Sequence, residues 1–410
     1  MILDELKNKK ILIVGYGIEG KSVEHFLKNY DGKFNTTIID QKDGPDYLDH
    51  QNEYDIAIKS PGVQKDLLHI PYITPTNLFF SLVRGKVIGV TGTKGKSTTS
   101  SLIYSILQSA GFAVHLVGNI GTPMLTELEK RNAEEDWYVV ELSSYQLDDI
   151  EYSPYISVMI NFFPDHMNYH GNIETYWNAK KRIVAYTSKD DMFVYNPQFA
   201  RLQQLAGVCQ AKAIPYVNEI PFSDSEIPLI GLHNRDNVRA ALTVASILGI
   251  STEIAKKAIT SFVPLPHRLQ KVGTYHGITF YDDAISTTPE STICAIQSLP
   301  LTATIFLGGL DRGYDFRSLI EIIEISAIKN IVLFPDSGIK ILAELEKKNK
   351  DRFTILQTKD MKEAVEFAYA NTPKQAICLL STASPSYSNW KNFEEKGDLF
   401  QKYIKEIGEQ

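Results

Sequence analysis

One stretch constrains this chain more than any other: Val87-Ile88-Gly89-Val90-Thr91-Gly92-Thr93-Lys94-Gly95-Lys96-Ser97-Thr98-Thr99. It begins as a β-branched apolar strand, turns through glycines, and ends in Lys-Ser-Thr. A helical apolar pattern then opens at Leu102, Ile103, Ile106 and Leu107. A strand, a phosphate-cradling loop and a helix are required in that order. Gly92 and Gly95 let backbone N–H groups approach phosphate oxygens with no Cβ in the way. The helix N-terminus adds partial positive charge. Thr93, Lys94, Gly95 and Thr98 complete the cradle, Lys96 can reach the outer phosphates, and Ser97 can offer an oxygen to Mg²⁺. The pattern G-x-x-x-x-G-K-[ST] is varied here, because Val90 stands where its first glycine would be.

A chain of 410 residues exceeds one hydrophobic core, so two or three domains are expected. With 43% hydrophobic and 22% charged residues the composition is globular, and no apolar run reaches the roughly 18 residues of a membrane helix. The first residues, Met1-Ile2-Leu3-Asp4-Glu5-Leu6-Lys7, lack a signal-peptide core, so the expectation is a cytoplasmic protein with no membrane association. A net charge of −7 without a basic cluster excludes nucleic acid as a partner. Cys209, Cys294 and Cys378 are widely spaced and read as buried small hydrophobes rather than a disulfide or zinc set.

Before the central loop stands a second glycine turn. Ile11-Leu12-Ile13-Val14 leads into Gly15-Tyr16-Gly17-Ile18-Glu19-Gly20, and the next strand, Thr36-Thr37-Ile38-Ile39, ends in Asp40. This is a nucleotide-diphosphate fingerprint, with the acidic residue about 20 positions beyond the last glycine. Ile56-Ala57-Ile58-Lys59 delivers a further turn, Ser60-Pro61-Gly62. Strand–helix alternation pauses at Arg84-Gly85, which places the first boundary there. Beyond the central loop, strands deliver Asn119, Glu141, and then Asn161 with Asp165-His166 to the edge where open α/β sheets bind ligands. Lys180 lies in a helical pattern, and Asn234 and Asn237 stand one turn apart on a second helix. Pro264-Leu265-Pro266 reads as a linker. After it, strands end in loops carrying Asp282-Asp283, Gly308-Gly309-Leu310-Asp311-Arg312-Gly313 and Ser381-Thr382-Ala383-Ser384-Pro385-Ser386. The predicted fold is α/β in three domains: a Rossmann-like domain over 1–84, a central P-loop ATPase domain over 85–265, and a Rossmann-like domain over 266–410.

Several motifs together resemble the Mur ligases, the ATP-dependent amino-acid ligases of peptidoglycan synthesis. They are T-G-T-x-G-K-S-T at 91–98, G-N-I-G-x-P at 118–123, E-L-S-S-x-Q-L at 141–147, D-H-M at 165–167, A-K-x-R-I at 179–183, H-N-x-x-N at 233–237 and H-R at 267–268. Within the family, L-S-x-A-x-x-S at 380–386 and K-N-F-E-x-x-G at 391–397 resemble the glutamate-adding members.

The resemblance implies that UDP-N-acetylmuramoyl-L-alanine, glutamate and ATP are the substrates, joined through an acyl phosphate by a monomer. It implies that Lys96, His166 and Lys180 are catalytic, that Mg²⁺ sits on Ser97 and Glu141, and that His166 with a carbamylated Lys180 holds a second ion. Asn237, Arg268 and Asp283 would hold the nucleotide. Gly15, Gly17, Ile18, Glu19, Asp40, Ser60, Pro61, Gly62 and Asn119 would hold the UDP-substrate, and Thr287, Arg312, Ser386 and Phe393 the glutamate. One departure stands out. Where the D-glutamate enzymes carry D-S-K-A-T-N, this chain has Asp283-Ala284-Ile285-Ser286-Thr287-Thr288, with Ile285 in place of the lysine. The stereochemistry of the glutamate is therefore open, with L-glutamate or another Mur-type or folylpolyglutamate-synthetase-type ligation as alternatives. A dehydrogenase would use residues 15–20 but leave the central loop idle. A non-catalytic nucleotide-binding scaffold would bind ATP without releasing phosphate.

Overall fold

In the computed structural model, residues 2–30, 33–348 and 350–409 are described. They form three sheets, in two compact units. The first unit is Met1–Ile227 with Asn234–Phe262, and the second is Pro228–His233 with Val263–Gln410.

The first unit holds two all-parallel sheets. Strands β1 (Lys10–Val14), β2 (Asn35–Ile39), β3 (Ile56–Lys59) and β4 (Tyr72–Ile73) pair in the order β2-β1-β3-β4. Strands β5 (Lys86–Thr91), β6 (Val114–Gly118), β7 (Trp137–Glu141), β8 (Ile156–Met159), β9 (Met192–Tyr195) and β10 (Lys212–Pro215) pair in the order β10-β9-β8-β5-β7-β6. Parallel strands covered on both faces read as unbroken apolar runs, which is why β1 and β5 were legible. The order reverses beside β5, and the loop after β5 therefore opens at a crevice.

The two sheets of this unit meet at a buried polar junction. Lys59 is fully buried; its ammonium lies 2.9 Å from the Asp149 carboxylate and donates to the Val63 carbonyl at 3.0 Å. The Tyr72 hydroxyl donates to the same carboxylate at 3.1 Å. Asn77 donates to the Asp149 carbonyl at 2.9 Å and accepts from the Glu151 N–H at 3.0 Å.

The second unit holds one sheet of β11 (Gln270–Tyr275), β12 (Ile278–Asp282), β13 (Thr302–Gly308), β14 (Asn330–Phe334), β15 (Thr354–Gln357) and β16 (Ile377–Leu380), in the order β11-β12-β16-β13-β14-β15. Only β11 runs antiparallel. Every residue of β13 is buried, so this is the centre of the unit.

Four of these strands, β4, β9, β10 and β11, went unmarked in the sequence. β10 and β11 lie at sheet edges and are half polar, β4 is two residues long, and β9 is an apolar run of only four residues. The cysteine expectation holds only for Cys378, since Cys294 is exposed and Cys209 partly so. Among the described residues no helix is long and apolar enough to cross a membrane.

Candidate nucleotide and ligase site

β5 ends at Thr91 and the helix Lys96–Ser109 begins after four intervening residues. Gly95 has φ +86°, and a Cβ there would lie 2.4 Å from the Asn237 side-chain oxygen, so glycine is required twice over. Asn237 in turn accepts from the Thr99 hydroxyl at 3.1 Å and donates to the Asn234 side chain at 2.8 Å. The paired asparagines thus brace the loop from the helix His233–Ile247.

The Lys96 ammonium donates to the carbonyls of Gly92 at 3.1 Å and Thr93 at 2.9 Å. Thr93, Ser97 and Thr98 are buried. The loop's other brace is a residue that the sequence placed at the ligand-binding edge without giving it a role. Asn161, just past β8, accepts from the N–H groups of Thr93 at 2.9 Å and Lys94 at 3.0 Å, and donates to the Lys94 carbonyl at 2.9 Å. Its only signal in the sequence is an asparagine closing a buried apolar strand.

Lys180 reaches this loop from the helix Ile173–Lys181. Only 1% exposed, it donates to the Gly92 carbonyl at 2.8 Å and the Thr91 hydroxyl at 3.3 Å, and lies over the Tyr176 ring at 5.0 Å. Burial first, and then the Lys96 charge, hold its ammonium well below its ordinary pKa despite Asp165 and Glu141. Its neighbour Lys181 is exposed, as a surface lysine would be.

Glu141, at the end of β7, is 1% exposed. One carboxylate oxygen accepts from the Asn119 amide at 3.1 Å; the other is buried with no hydrogen-bond partner. An orphaned buried carboxylate oxygen beside a phosphate loop fits a hard cation. His166 follows in a left-handed turn, φ +57°, with Nδ1 3.1 Å from the Tyr145 hydroxyl. Burial, Lys96, Lys180 and Lys94 together push its pKa down to about 4, against the pull of Asp165. Neutral imidazole is the metal-binding form. No cluster of three His, Cys, Asp or Glu is present among the described residues, so these donors make a sparse set.

The other glycine turn has its own supports. Gly15 has φ +86°, and a Cβ on Gly20 would stand 2.0 Å from the Gly15 carbonyl oxygen. The Ser60 hydroxyl donates to that carbonyl at 2.8 Å. Asp40 accepts from the N–H of Tyr16 at 2.7 Å and of Lys42 at 3.1 Å, so both its oxygens hold backbone. Gly17 caps the helix Ile18–Asn29, and Ile18 is 76% exposed at its tip. Glu19 accepts from the Gln146 amide at 3.0 Å, and burial pushes its pKa up to about 7. Pro61 accepts from the Tyr169 hydroxyl at 3.5 Å, and Gly62 is exposed.

The remaining candidates belong to the second unit. Arg268 stands between two left-handed residues, His267 (φ +59°) and Leu269 (φ +46°). Among the described residues, four of the seven non-glycine residues with positive φ (His166, His267, Leu269 and Ala383) fall in candidate-site loops, where such conformations concentrate. His267 lies 2.7 Å from Asp282. Asp283 accepts from the Ser381 hydroxyl at 2.8 Å and the Leu269 N–H at 3.2 Å; burial pushes its pKa up to about 7. Thr287 is partly buried before the helix Pro289–Ser298. Ser386 is 3% exposed and its hydroxyl has no partner. Phe393 packs edge-on to His267 at 6.0 Å, whereas Arg312 is exposed.

A Lys-Ser-Thr phosphate loop at the reversal of a parallel sheet, with the buried Lys180 against it, defines a nucleoside-triphosphate-using α/β enzyme. The family model for the Mur ligase middle domain matches residues 90–219. UDP-N-acetylmuramoylalanine–D-glutamate ligases are 30% identical in Leuconostoc citreum, over 99% of both chains, and 31% identical in Oenococcus oeni, over 97% of both. The fold is also that of UDP-N-acetylmuramate-alanine ligase from Thermotoga maritima, with a TM-score of 0.63 at 18% identity over 98% of this chain and 99% of that one. The MurF ligase of the same organism, solved with ADP, gives 0.62 at 17% identity over 98% and 97%. The chain belongs to the Mur ligase family and is an ATP-dependent acid–amino-acid ligase.

Proposed function

We propose that the chain adds D-glutamate to UDP-N-acetylmuramoyl-L-alanine at the expense of ATP, as the names of its relatives indicate for those proteins. The observation that carries the reading is the concentration of positive charge at one loop. Lys94 and Lys96 bring their charges to residues 92–95, and the buried Lys180 brings its amine to the same loop, beside the orphaned oxygen of Glu141.

The first step brings two anions together, the substrate carboxylate and the γ-phosphate of ATP. Lys96 and the loop N–H groups screen and orient them, and the acyl phosphate forms with ADP as the leaving group. Ser97 and Glu141 would hold one Mg²⁺, and His166 with a carbamylated Lys180 a second; when bound, these ions supply further charge stabilisation to the phosphoryl groups. Lys180 suits carbamylation because burial favours its neutral amine, the form that attacks CO₂. In the second step the glutamate amine attacks the acyl carbon, a tetrahedral intermediate forms, and phosphate leaves.

In this reading residues 1–84 hold the UDP group through Gly15, Gly17, Ile18, Glu19, Asp40, Ser60, Pro61 and Gly62. Residues 85–265 hold ATP, with Asn119 and Asn237 beside the loop. Residues 266–410 contribute Arg268 and Asp283 to the nucleotide, and Thr287, Arg312, Ser386 and Phe393 to glutamate. The reading includes a monomer working in the cytoplasm. The test is phosphate release with UDP-N-acetylmuramoyl-L-alanine, ATP, Mg²⁺ and each glutamate enantiomer. Release only with D-glutamate supports the proposal. Release with L-glutamate alone would reverse the stereochemistry, as the loss of a cation at Ile285 allows.

A further inference from the structure

Three lysines are buried among the described residues: Lys59, Lys180 and Lys396. An ammonium taken out of water is retained only where its charge is used. Lys59 is neutralised by Asp149 at 2.9 Å, and Lys180 belongs to the phosphate loop. Lys396, in the first turn of the helix Phe393–Gly408, has no carboxylate within 4.0 Å among the described residues. The neighbouring carboxylates are engaged elsewhere. Asp282 serves His267 and Gln401, each at 2.7 Å, and the Ala284 N–H at 2.9 Å. Asp283 serves Ser381 and Leu269.

Among the described residues, the one hydrogen bond of the Lys396 ammonium is to the Thr382 hydroxyl, at 2.5 Å. That hydroxyl reaches the Ser384 carbonyl at 3.0 Å and the Ser286 carbonyl at 3.5 Å. Ser286 adjoins Thr287, and Ser384 lies two residues before Ser386 with its unpartnered hydroxyl. The ammonium therefore stands at the node joining the two loops that carry the candidate glutamate residues.

We propose that Lys396 is a positioning and specificity-determining residue of the amino-acid half-site, clamping these two loops together and supplying the positive charge that Ile285 does not. The inference rests on the function reading above. A buried cation at this node raises the local potential in a low-dielectric setting, where an incoming carboxylate feels it strongly. Its charge is set by its surroundings: burial brings its pKa down to about 7, against the pull of Asp282 and Asp283. The other charged groups at the node are His267, ahead of β11, and Glu394 and Asp398 on the helix itself, which act on His267. Below pH 7 the ammonium is charged; above it the amine turns neutral and the glutamate site loses its cation.

The test uses the full chain and compares wild type, K396M and K396R over about pH 6 to 9, reading KM separately for glutamate, ATP and the UDP-substrate. At neutral pH, K396M should raise the glutamate KM roughly tenfold, the scale of one charge-assisted contact, and leave the other two within about twofold. K396R, which stays charged, should bring the glutamate KM back to within about threefold and abolish its rise above pH 7. An unchanged glutamate KM in K396M would overturn the proposal. So would a parallel rise of all three constants, which marks a structural role. Should K396M fail to fold, a K396R profile identical in shape to wild type would overturn it alone. Wild-type protein that releases no phosphate with either glutamate enantiomer would remove the function reading and this inference with it, whereas normal wild-type turnover with an unmoved K396M removes only the inference.

Discussion

The chain builds the same turn twice. Residues 15–20 and 92–95 each follow a buried parallel strand, each open a helix, and each place a glycine at φ +86°. A Cβ is excluded from both by a close oxygen, the Gly15 carbonyl below Gly20 and the Asn237 amide beside Gly95. Charge is what separates them. Around the second loop stand the cations Lys94 and Lys96, with the buried Lys180 amine behind them; inside the first is a carboxylate, Glu19, held by Gln146. Backbone geometry is enough to seat a diphosphate that only has to be held. A phosphoryl group that must be transferred needs cations positioned for the charge that develops.

The strongest attempt to break this contrast is Lys96→Ala. Loss of about 3 kcal/mol of transition-state stabilisation should cut phosphate release a hundredfold or more. Binding of the UDP-substrate, measured by calorimetry, should hardly move. Near-normal turnover would show that the second loop is no more catalytic than the first.

Lys180→Ala should lower activity by roughly tenfold or more. Part of it should return when a short carboxylate such as acetate is added, because the bridging group can be replaced from solution. An intact mass showing an unmodified lysine in the active, Mg²⁺-loaded protein would end the carbamylation idea.

Glu19→Gln sharpens the comparison from the other side. The carboxyl pKa is raised from 4.5 to about 7, so in the folded protein the proton is held more tightly than in the unfolded chain. Wild-type stability is therefore unaffected below about pH 4.5, falls as pH rises through the window up to 7, and stays lowered above it. The variant should melt higher than wild type at pH 8 and match it near pH 4. It should also bind the anionic UDP-substrate several-fold better at pH 8. Identical pH profiles for the two proteins would remove Glu19 from the account.

The smallest effect belongs to Ser60→Ala. It deletes the hydrogen bond to the Gly15 carbonyl, worth about 1 kcal/mol, and should weaken UDP-substrate binding without touching ATP affinity. An equal loss for both ligands would mean that the two turns do not act separately.

Much of this was legible in the sequence because it is local. β5, its loop and the following helix are consecutive, and β-branched residues, glycines and an apolar period announce them in order. The glycine turn at 15–20 was legible for the same reason. What escaped depends on contacts between distant segments. The strand before it places Asn161 at the ligand-binding edge, but its bracing of a loop about 70 residues away is a contact that the sequence does not show. Lys180 was placed by resemblance, since alone it looked like its exposed neighbour Lys181. Lys396 did leave a trace: it falls four and eight residues before Phe400 and Ile404, both fully buried, so the helical period alone puts it on the apolar face. The edge strands β10 and β11 left none, being half polar, and the apolar β9 is only four residues long.

The Lys59–Asp149 pair bears on where this chain can be cut. A fragment ending near residue 84 would carry away the lysine and leave its carboxylate behind, stranding an uncompensated buried charge on each side at about 3–5 kcal/mol. Cleavage, permutation or domain exchange at that point would therefore yield two pieces each poorer than the whole. The nucleotide-diphosphate turn and the phosphate loop therefore belong to one compact unit, which a cut between them would damage on both sides.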